Sequence, residues 1–587
     1  MTFLSGSVAL FGSTRIFKKH VGRWSQIGVG LVLLVTLVNL ALSNGWIEKQ
    51  EVYLYLASTL SIPVGILWLF VLMYMSTDDQ ENMTQDRFAL TSVYSSGLVR
   101  IAGVIVLLIS AFLIFYRLGY FDIWEDENLV INAAVGVTEQ GWSYFDEGYS
   151  RARLHTIIIA GLIELFGDSE FIGRLPSAVF GVGFVLLAFF VFARWYGLAW
   201  LAILLPLICL MNDRFLLLFR YMRMYALLIP LFLAGTYLIY QTIEMFQQRN
   251  VAGSERPAHF KKWGMVALSV VFILLLAHIH KLSMIVLPVF GLFIVYKALI
   301  ERNKTQLRVL WVVSGGVAIL LMLTFVFELD ALKMFRQVAK RMTTPHAAKL
   351  AYFEYVLDNA LPQNVTLMAL LAGVGLFFAG VSRRIKSLLV LNYLFIVIAL
   401  VAMVYLIGDR GRDYRYIAHL VPFVVCSNLL VVYYSSRVFS RKIYPWSFAV
   451  VLLISAFHLG QQYERIYIRH PWAPRYSQVY QTLVSNFTPG DALIVQNVKT
   501  YYLDPEKLAG DHLIKIPKRE TYTLDQFKEV IRREKQGWVM WELHKSHYMP
   551  IEIRKYIYKR FKPYHNGNID DLGVELFYFD ETMIPAG

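Results

Sequence analysis

The stretch YFDIWEDENLVINAA, residues 120–134, gathers four carboxylates, Asp122, Glu125, Asp126 and Glu127, directly behind the uncharged run IAGVIVLLISAFLIFY, residues 101–116. Such an apolar run is the right material for a helix crossing a bilayer, which needs about 20 residues. The carboxylates then fall where that helix ends. At a bilayer centre a carboxylate costs about 2.5–3.5 kcal/mol on insertion scales, and at the interface much less. Two explanations stay open at this point. The cluster is accounted for as a solvated cap, because acidic residues favour helix N-termini. It is equally accounted for as chemistry collected at the membrane surface.

The rest of the chain supports the membrane setting. Of 587 residues, 57% are hydrophobic and 17% charged, against about 25% charged in soluble domains, and the mean hydropathy is +0.50. A window of roughly 19 residues finds about thirteen spans: 26–43, 52–75, 98–116, 175–194, 198–211, 222–240, 264–277, 282–299, 309–327, 366–381, 388–407, 417–434 and 445–459. The first follows Arg15, Lys18, Lys19 and Arg23 and reads as a retained anchor. The two cysteines, Cys209 and Cys426, lie in apolar runs, so no disulfide framework is expected. The net charge of +14 fits cytoplasmic loops and anionic lipid, and calls for no nucleic acid.

Basic residues set the orientation. Arg249, Arg256, Lys261 and Lys262, then Lys297, Arg302, Lys304 and Arg308, then Arg383, Arg384 and Lys386, then Arg437, Arg441 and Lys442 fall on the side of the basic N-terminus. The positive-inside rule makes that side cytoplasmic. The acidic connection 76–97 is placed there too, since acidic residues carry little topological weight. An odd number of spans then puts residues 461–587 outside. In that tail DALIVQ, HLIKIP, GWVMWEL and VELFYFD read as strands, and LDQFKEVIRREK and IEIRKYIYKRF as helices, which predicts a small α/β domain. It has neither a GxGxxG nor a Walker loop, so no nucleotide site is assigned to it.

The outer connections hold more charge than that rule expects. MNDRFLLLFRYMRMYAL (211–227) supplies Asp213, Arg214, Arg220 and Arg223; AHIHKLS (277–283) supplies His278, His280 and Lys281. The loop 328–349 adds Lys333, Arg336, Lys340, Arg341, His346 and Lys349, and GDRGRDYRYIAHL (408–420) adds Arg410, Arg412 and Arg415. Such cations outside call for an anionic partner such as phosphate, which Arg holds in bidentate fashion. Salt bridges to Asp409, Asp413 and Glu328 are the plainer alternative. His278 and His280 form a His-x-His pair with no neighbouring carboxylate, so a divalent metal is not expected.

Taken together, WEDE (124–127), LFGDSEFIGRLPSAVFG (165–181), FRYMRMYAL (219–227) and RDYRYIAHLVP (412–422) resemble, in order, the motifs of a bacterial family. It is related to the protein O-mannosyltransferases and to the aminoarabinose transferases of lipid A. These are membrane-embedded glycosyltransferases of the GT-C class. The likeness runs from about residue 98 to 434. The segment EGYSRARLHTII (147–158) lacks the proline many members have there, and Tyr149 with Arg151 resembles a Y-x-R pattern of other members. The resemblance implies a polytopic α-helical membrane protein of GT-C fold. Such a protein moves a sugar from a polyprenyl-phosphate donor to a glycan, lipid or protein acceptor. It points to Asp126 as the base, with Glu127 orienting it or binding acceptor, and Asp213 as a second acid; on an interfacial site Asp122 and Glu125 are expected to face solvent. Arg151, Arg153, Arg223, His280, Lys281, Arg412 and Arg415 are the donor and phosphate candidates. Trp124, Tyr225 and Tyr416 are candidates to line the pocket, interfacial anchoring being the alternative.

The organisation expected is an N-terminal extension with two extra helices (1–97), a GT-C catalytic domain (98–460) and an extracytoplasmic α/β domain (461–587). The catalytic domain carries an acidic outer loop (117–174) and a basic outer loop (328–364). The implied location is a bacterial inner membrane, N-terminus cytoplasmic and C-terminal domain periplasmic, without a cofactor. Three other readings stay open: a lipid or polysaccharide transporter or flippase, a non-catalytic assembly subunit, and a polymerase or ligase using lipid pyrophosphate. Transporters bury their ionisable groups near the bilayer midplane, whereas these charges sit at span ends.

Overall fold

The computed structural model describes residues 97–147, 151–247, 259–301, 383–402, 414–439, 444–468, 475–496, 498–516, 522–542, 549–564 and 574–583. The principal helices of its first part are α1 (Gly97–Phe115), α2 (Glu125–Gln140), α3 (Arg153–Phe166), α4 (Glu170–Tyr196), α5 (Ala199–Leu210) and α6 (Asp213–Leu218). There follow α7 (Tyr225–Gln247), α8 (His259–Ile279), α9 (Val286–Glu301), α10 (Arg383–Ala402), α11 (Val421–Phe439) and α12 (Tyr444–Gln461). The C-terminal part runs α13 (Tyr476–Asn486), β1 (Ala492–Gln496), β2 (Leu513–Lys515), α14 (Leu524–Glu534), β3 (Gly537–Glu542), α15 (Ile551–Arg560), β4 (Lys562–Pro563) and β5 (Val574–Phe579). Among the described residues four helical stretches, Glu170–Tyr196, Tyr225–Phe246, Lys262–Ile279 and Lys281–Ala298, are long and apolar enough to cross a membrane. The expected spans 26–43, 52–75, 309–327 and 366–381, the basic loop 328–364 and the end (403–407) of the span 388–407 lie outside the described residues; the other spans overlap helices.

The chain divides into two compact units. The first is Met1–Ile114, Val179–Phe219 and Met224–Gly460. In it α7 packs on α8, α5 on α11 and α9 on α10. Its core is aromatic: Phe395 stacks on Phe423 with centroids 4.7 Å apart, and Phe232 meets Phe395 edge-on at 5.4 Å. Rings supply the shape-specific contact that apolar helices need among apolar surroundings, and buried polar groups add the rest. Asn392 does so on α10, donating to the Tyr196 hydroxyl at 3.1 Å.

The second unit is Phe115–Ala178, Arg220–Arg223 and Gln461–Gly587. The tail expected as a domain by itself is therefore grouped with the acidic loop and with four residues of the RYMR turn. Its sheet has the order β2-β1-β3-β5-β4. β1 runs parallel to β2 and β3, while β5 runs antiparallel to β3 and β4. Alternate residues serve two cores. Leu493, Val495, Trp538, Met540 and Leu576 pack under Tyr476, Val479, Tyr480 and Leu483 of α13. Ile494, Val539, Trp541 and Phe577 pack under Phe527 and Ile531 of α14 and Ile553 and Ile557 of α15. A sheet covered on both faces explains why these strands read as unbroken apolar runs.

Candidate active site

The acidic stretch builds the start of α2. Trp124 is its N-cap, in extended backbone (φ −83°, ψ 172°), and Glu127 is the third helical residue. The Glu127 carboxylate reaches back to accept from the Trp124 N–H at 3.3 Å. This satisfies a donor that a helix start otherwise leaves open. It also accepts from Arg174 Nε at 2.9 Å, Arg174 Nη2 at 2.7 Å and the Met222 N–H at 2.8 Å. Glu127 is 0% exposed and Arg174 2%. The guanidinium of Arg174 has further work: it donates to the carbonyls of Leu118 at 3.1 Å, Phe121 at 2.7 Å and Asp122 at 3.0 Å. This pair ties together the loop 118–122, the start of α2, the first turns of α4 and Met222 of the RYMR turn. Gly173 permits the approach, since a Cβ there would lie 2.3 Å from the Met222 sulfur.

Asp126, one residue earlier, faces elsewhere. Its carboxylate lies 3.3 Å from Arg223 Nη2, with side chains 27% and 7% exposed respectively. Arg223 Nη1 also donates to the Asp126 carbonyl at 3.1 Å. The buried Nε of Arg223 has no hydrogen-bond partner among the described residues. Arg220, on the same turn, donates to the carbonyls of Tyr116 at 2.8 Å and Arg117 at 3.2 Å. Trp124 sets its ring 5.6 Å from that of Tyr221.

Asp122 departs from expectation. It does not face solvent: its carboxylate accepts from the Ser477 N–H at 2.6 Å and the Ser477 hydroxyl at 3.0 Å, in the first turn of α13. Burial raises its pKa above the usual carboxylate value. A helix start with open N–H groups is a natural partner for a carboxylate, and the residue that supplies it lies 355 positions away.

Arg151 is exposed in the turn before α3, and Arg153, the first residue of α3, sets its guanidinium 5.4 Å from the Phe145 ring. Between them Ala152 adopts a left-handed backbone (φ 48°, ψ 49°), which for a residue with a Cβ costs roughly 1–2 kcal/mol. His155 on α3 is buried, 3.4 Å from the Ser177 hydroxyl, and burial pushes its pKa down to about 3. A lowered histidine pKa means that the unfolded chain takes up a proton that the folded chain refuses. Stability is therefore full above about pH 6.5 and lost as pH falls toward 3, at up to about 1.4 kcal/mol per unit. Unfolding free energies from denaturant titrations should fall less steeply with pH between those limits for His155→Gln than for the parent; equal pH dependences would contradict this.

The remaining candidates belong to the other unit. Tyr225, His280 and Tyr416 form a cluster with ring centroids 5.4, 5.8 and 6.3 Å apart. His280 Nδ1 accepts from the Leu282 N–H at 3.2 Å, which leaves Nε2 to carry the proton of the neutral ring. Lys281 beside it is exposed, Arg415 is half-buried, and Asp213 is buried at the start of α6, whose N-cap is Asn212. Arg412 lies outside the described residues. Among the described residues no three His, Cys, Asp or Glu side chains come together as a metal site. Arg174 and Tyr502 were not singled out by the sequence.

No protein-family model matches the chain and no curated protein matches it in sequence. Solved structures do match. The oligosaccharyltransferase AglB from Archaeoglobus fulgidus, in complex with an inhibitory peptide and a dolichol-phosphate, is 10% identical, with a TM-score of 0.50 over 81% of this chain and 73% of that one. ArnT from Cupriavidus metallidurans bound to undecaprenyl phosphate is 12% identical, with a TM-score of 0.47 over 83% of this chain and 99% of that one. At such identity the likeness to AglB is one of fold alone, the GT-C fold.

Proposed function

We propose that this GT-C chain transfers a sugar from a polyprenyl-phosphate donor to an acceptor hydroxyl at the outer membrane face, with Asp126 as the base. The observation that carries this is the division of labour among three neighbouring carboxylates. Glu127 is enclosed by four N–H groups, and Asp122 is bound to Ser477. Asp126 is partly exposed beside a buried arginine. The acceptor oxygen bonds to the anomeric carbon as the bond from that carbon to the phosphate oxygen breaks. The proton passes to Asp126 and the electron pair stays on the lipid phosphate. That leaving group is already an anion, so cations aimed at it assist and no general acid is required. Arg223 is a cation beside the base, and Arg151, Arg153, His280, Lys281, Arg412 and Arg415 stay as donor candidates, with Asp213 as a second acid. A lipid-phosphate donor is further supported by the dolichol-phosphate held in AglB.

The test uses purified full-length chain in detergent, a radiolabelled polyprenyl-phosphate sugar and membrane extract as acceptor. One lipid phosphate should be released for each sugar that moves. In sealed vesicles, intact donor crossing the bilayer with no bond cleaved would make the chain a transporter and overturn the proposal.

A further inference from the structure

Asp126 is the second residue of α2, so its place is set by how the chain enters that helix through Asp122, Ile123 and Trp124. Glu127 holds the Trp124 N–H from within the helix. The other two are held from the far end of the chain. Ser477 binds the Asp122 carboxylate. The Ile123 N–H donates to the Tyr502 hydroxyl at 2.6 Å, and that hydroxyl donates to Glu170 Oε1 at 2.9 Å. Two more contacts continue along α2: the Tyr501 N–H donates to Asn128 Oδ1 at 3.3 Å, and Asn132 Nδ2 to Thr500 Oγ1 at 2.5 Å.

The segment making these contacts follows β1, a strand hydrogen-bonded on both edges. It is fixed underneath by the buried ion pair of Lys499 with Glu542 at 3.0 Å, and by the Tyr480 hydroxyl, which accepts from the Lys499 N–H at 3.1 Å. The clamp is therefore backed by the sheet, and the sheet's core is continuous with it through Tyr502 and Leu503.

We infer that Tyr502 is a positioning residue for Asp126, through which the C-terminal α/β domain sets the geometry of the base. This rests on the reading of Asp126 as base. Tyr502→Phe keeps the ring and removes the hydroxyl that fixes the Ile123 N–H. A displacement of about an ångström at a reacting group can slow turnover up to about 100-fold. The domain then has a role in the reaction without touching substrate.

The test is a cycle of four proteins: parent, Tyr502→Phe, Asp126→Asn and the double variant, each assayed for kcat and donor KM with radiolabelled polyprenyl-phosphate sugar. Tyr502→Phe should lower kcat about 10- to 100-fold and leave donor KM within about twofold. The double variant should be no slower than Asp126→Asn alone, because a misplaced base that is already absent has nothing left to lose. Multiplied losses would mean that Tyr502 merely supports the fold, and an unchanged kcat in Tyr502→Phe would overturn the inference outright. Near-normal transfer by Asp126→Asn would overturn the base reading and this inference with it. An impaired Asp126→Asn beside a normal Tyr502→Phe would sink the inference alone. Should Tyr502→Phe fail to fold, Ser477→Ala carries the same cycle through Asp122, with the same outcomes.

Discussion

Arg174→Ala should destabilise the acidic loop by about 3–5 kcal/mol, as expected when one partner of a buried ion pair is removed and the other charge is left stranded. Here the stranded charge would be Glu127, fully enclosed with the Trp124 and Met222 N–H groups as its remaining donors. Three backbone carbonyls, of Leu118, Phe121 and Asp122, would lose their donor as well. Protease resistance and thermal unfolding of the purified protein both read this. The cause is separable from simple loss of volume. Arg174→Met combined with Glu127→Leu removes both charges, and should cost less stability than Arg174→Ala alone. If the double replacement is as damaging as the two single losses added, the pair is valued for its hydrogen bonds to the carbonyls and not for charge balance.

Much of the fold was written locally. The uncharged runs mark helices because backbone groups in lipid must satisfy one another. The strands 492–496, 513–515, 537–542 and 574–579 declared themselves by apolar content because the sheet is covered on both sides. Helix α13 is hard to read from the sequence: Tyr476, Val479, Tyr480 and Leu483 recur at helical spacing, but the polar residues between them dilute the signal. The two-residue edge strand Lys562–Pro563 has no pattern to find.

The site was legible only as an inventory. A cluster of four acidic residues can be read from the sequence, but the roles of Asp122, Asp126 and Glu127 depend on distant partners. Glu127 finds Arg174 47 positions away and Met222 95 away; Asp126 finds Arg223 97 away; Asp122 finds Ser477 355 away. Arg174 stands inside a motif that the resemblance brought forward, yet nothing in a single sequence says that it closes on Glu127. Asp122 reads as solvent-facing because nothing near it in the sequence announces a partner 355 positions away.

Asp126→Asn should lower transfer about 10²–10⁴-fold, the range expected for loss of a positioned general base. The amide keeps the size of the side chain and one oxygen that can accept from Arg223, so the local structure should persist while the proton acceptor is gone. The loss should fall on kcat, because on the proposed mechanism Asp126 acts on the hydroxyl as the bond forms and not on the bound donor. The most direct measurement takes one preparation of Asp126→Asn and determines both donor affinity and the rate of sugar transfer from radiolabelled polyprenyl phosphate. The expected result is a donor Kd within about twofold of the parent and transfer reduced at least about 100-fold. Transfer at the parental rate with donor bound would contradict the account and leave Asp213 as the carboxylate to test next.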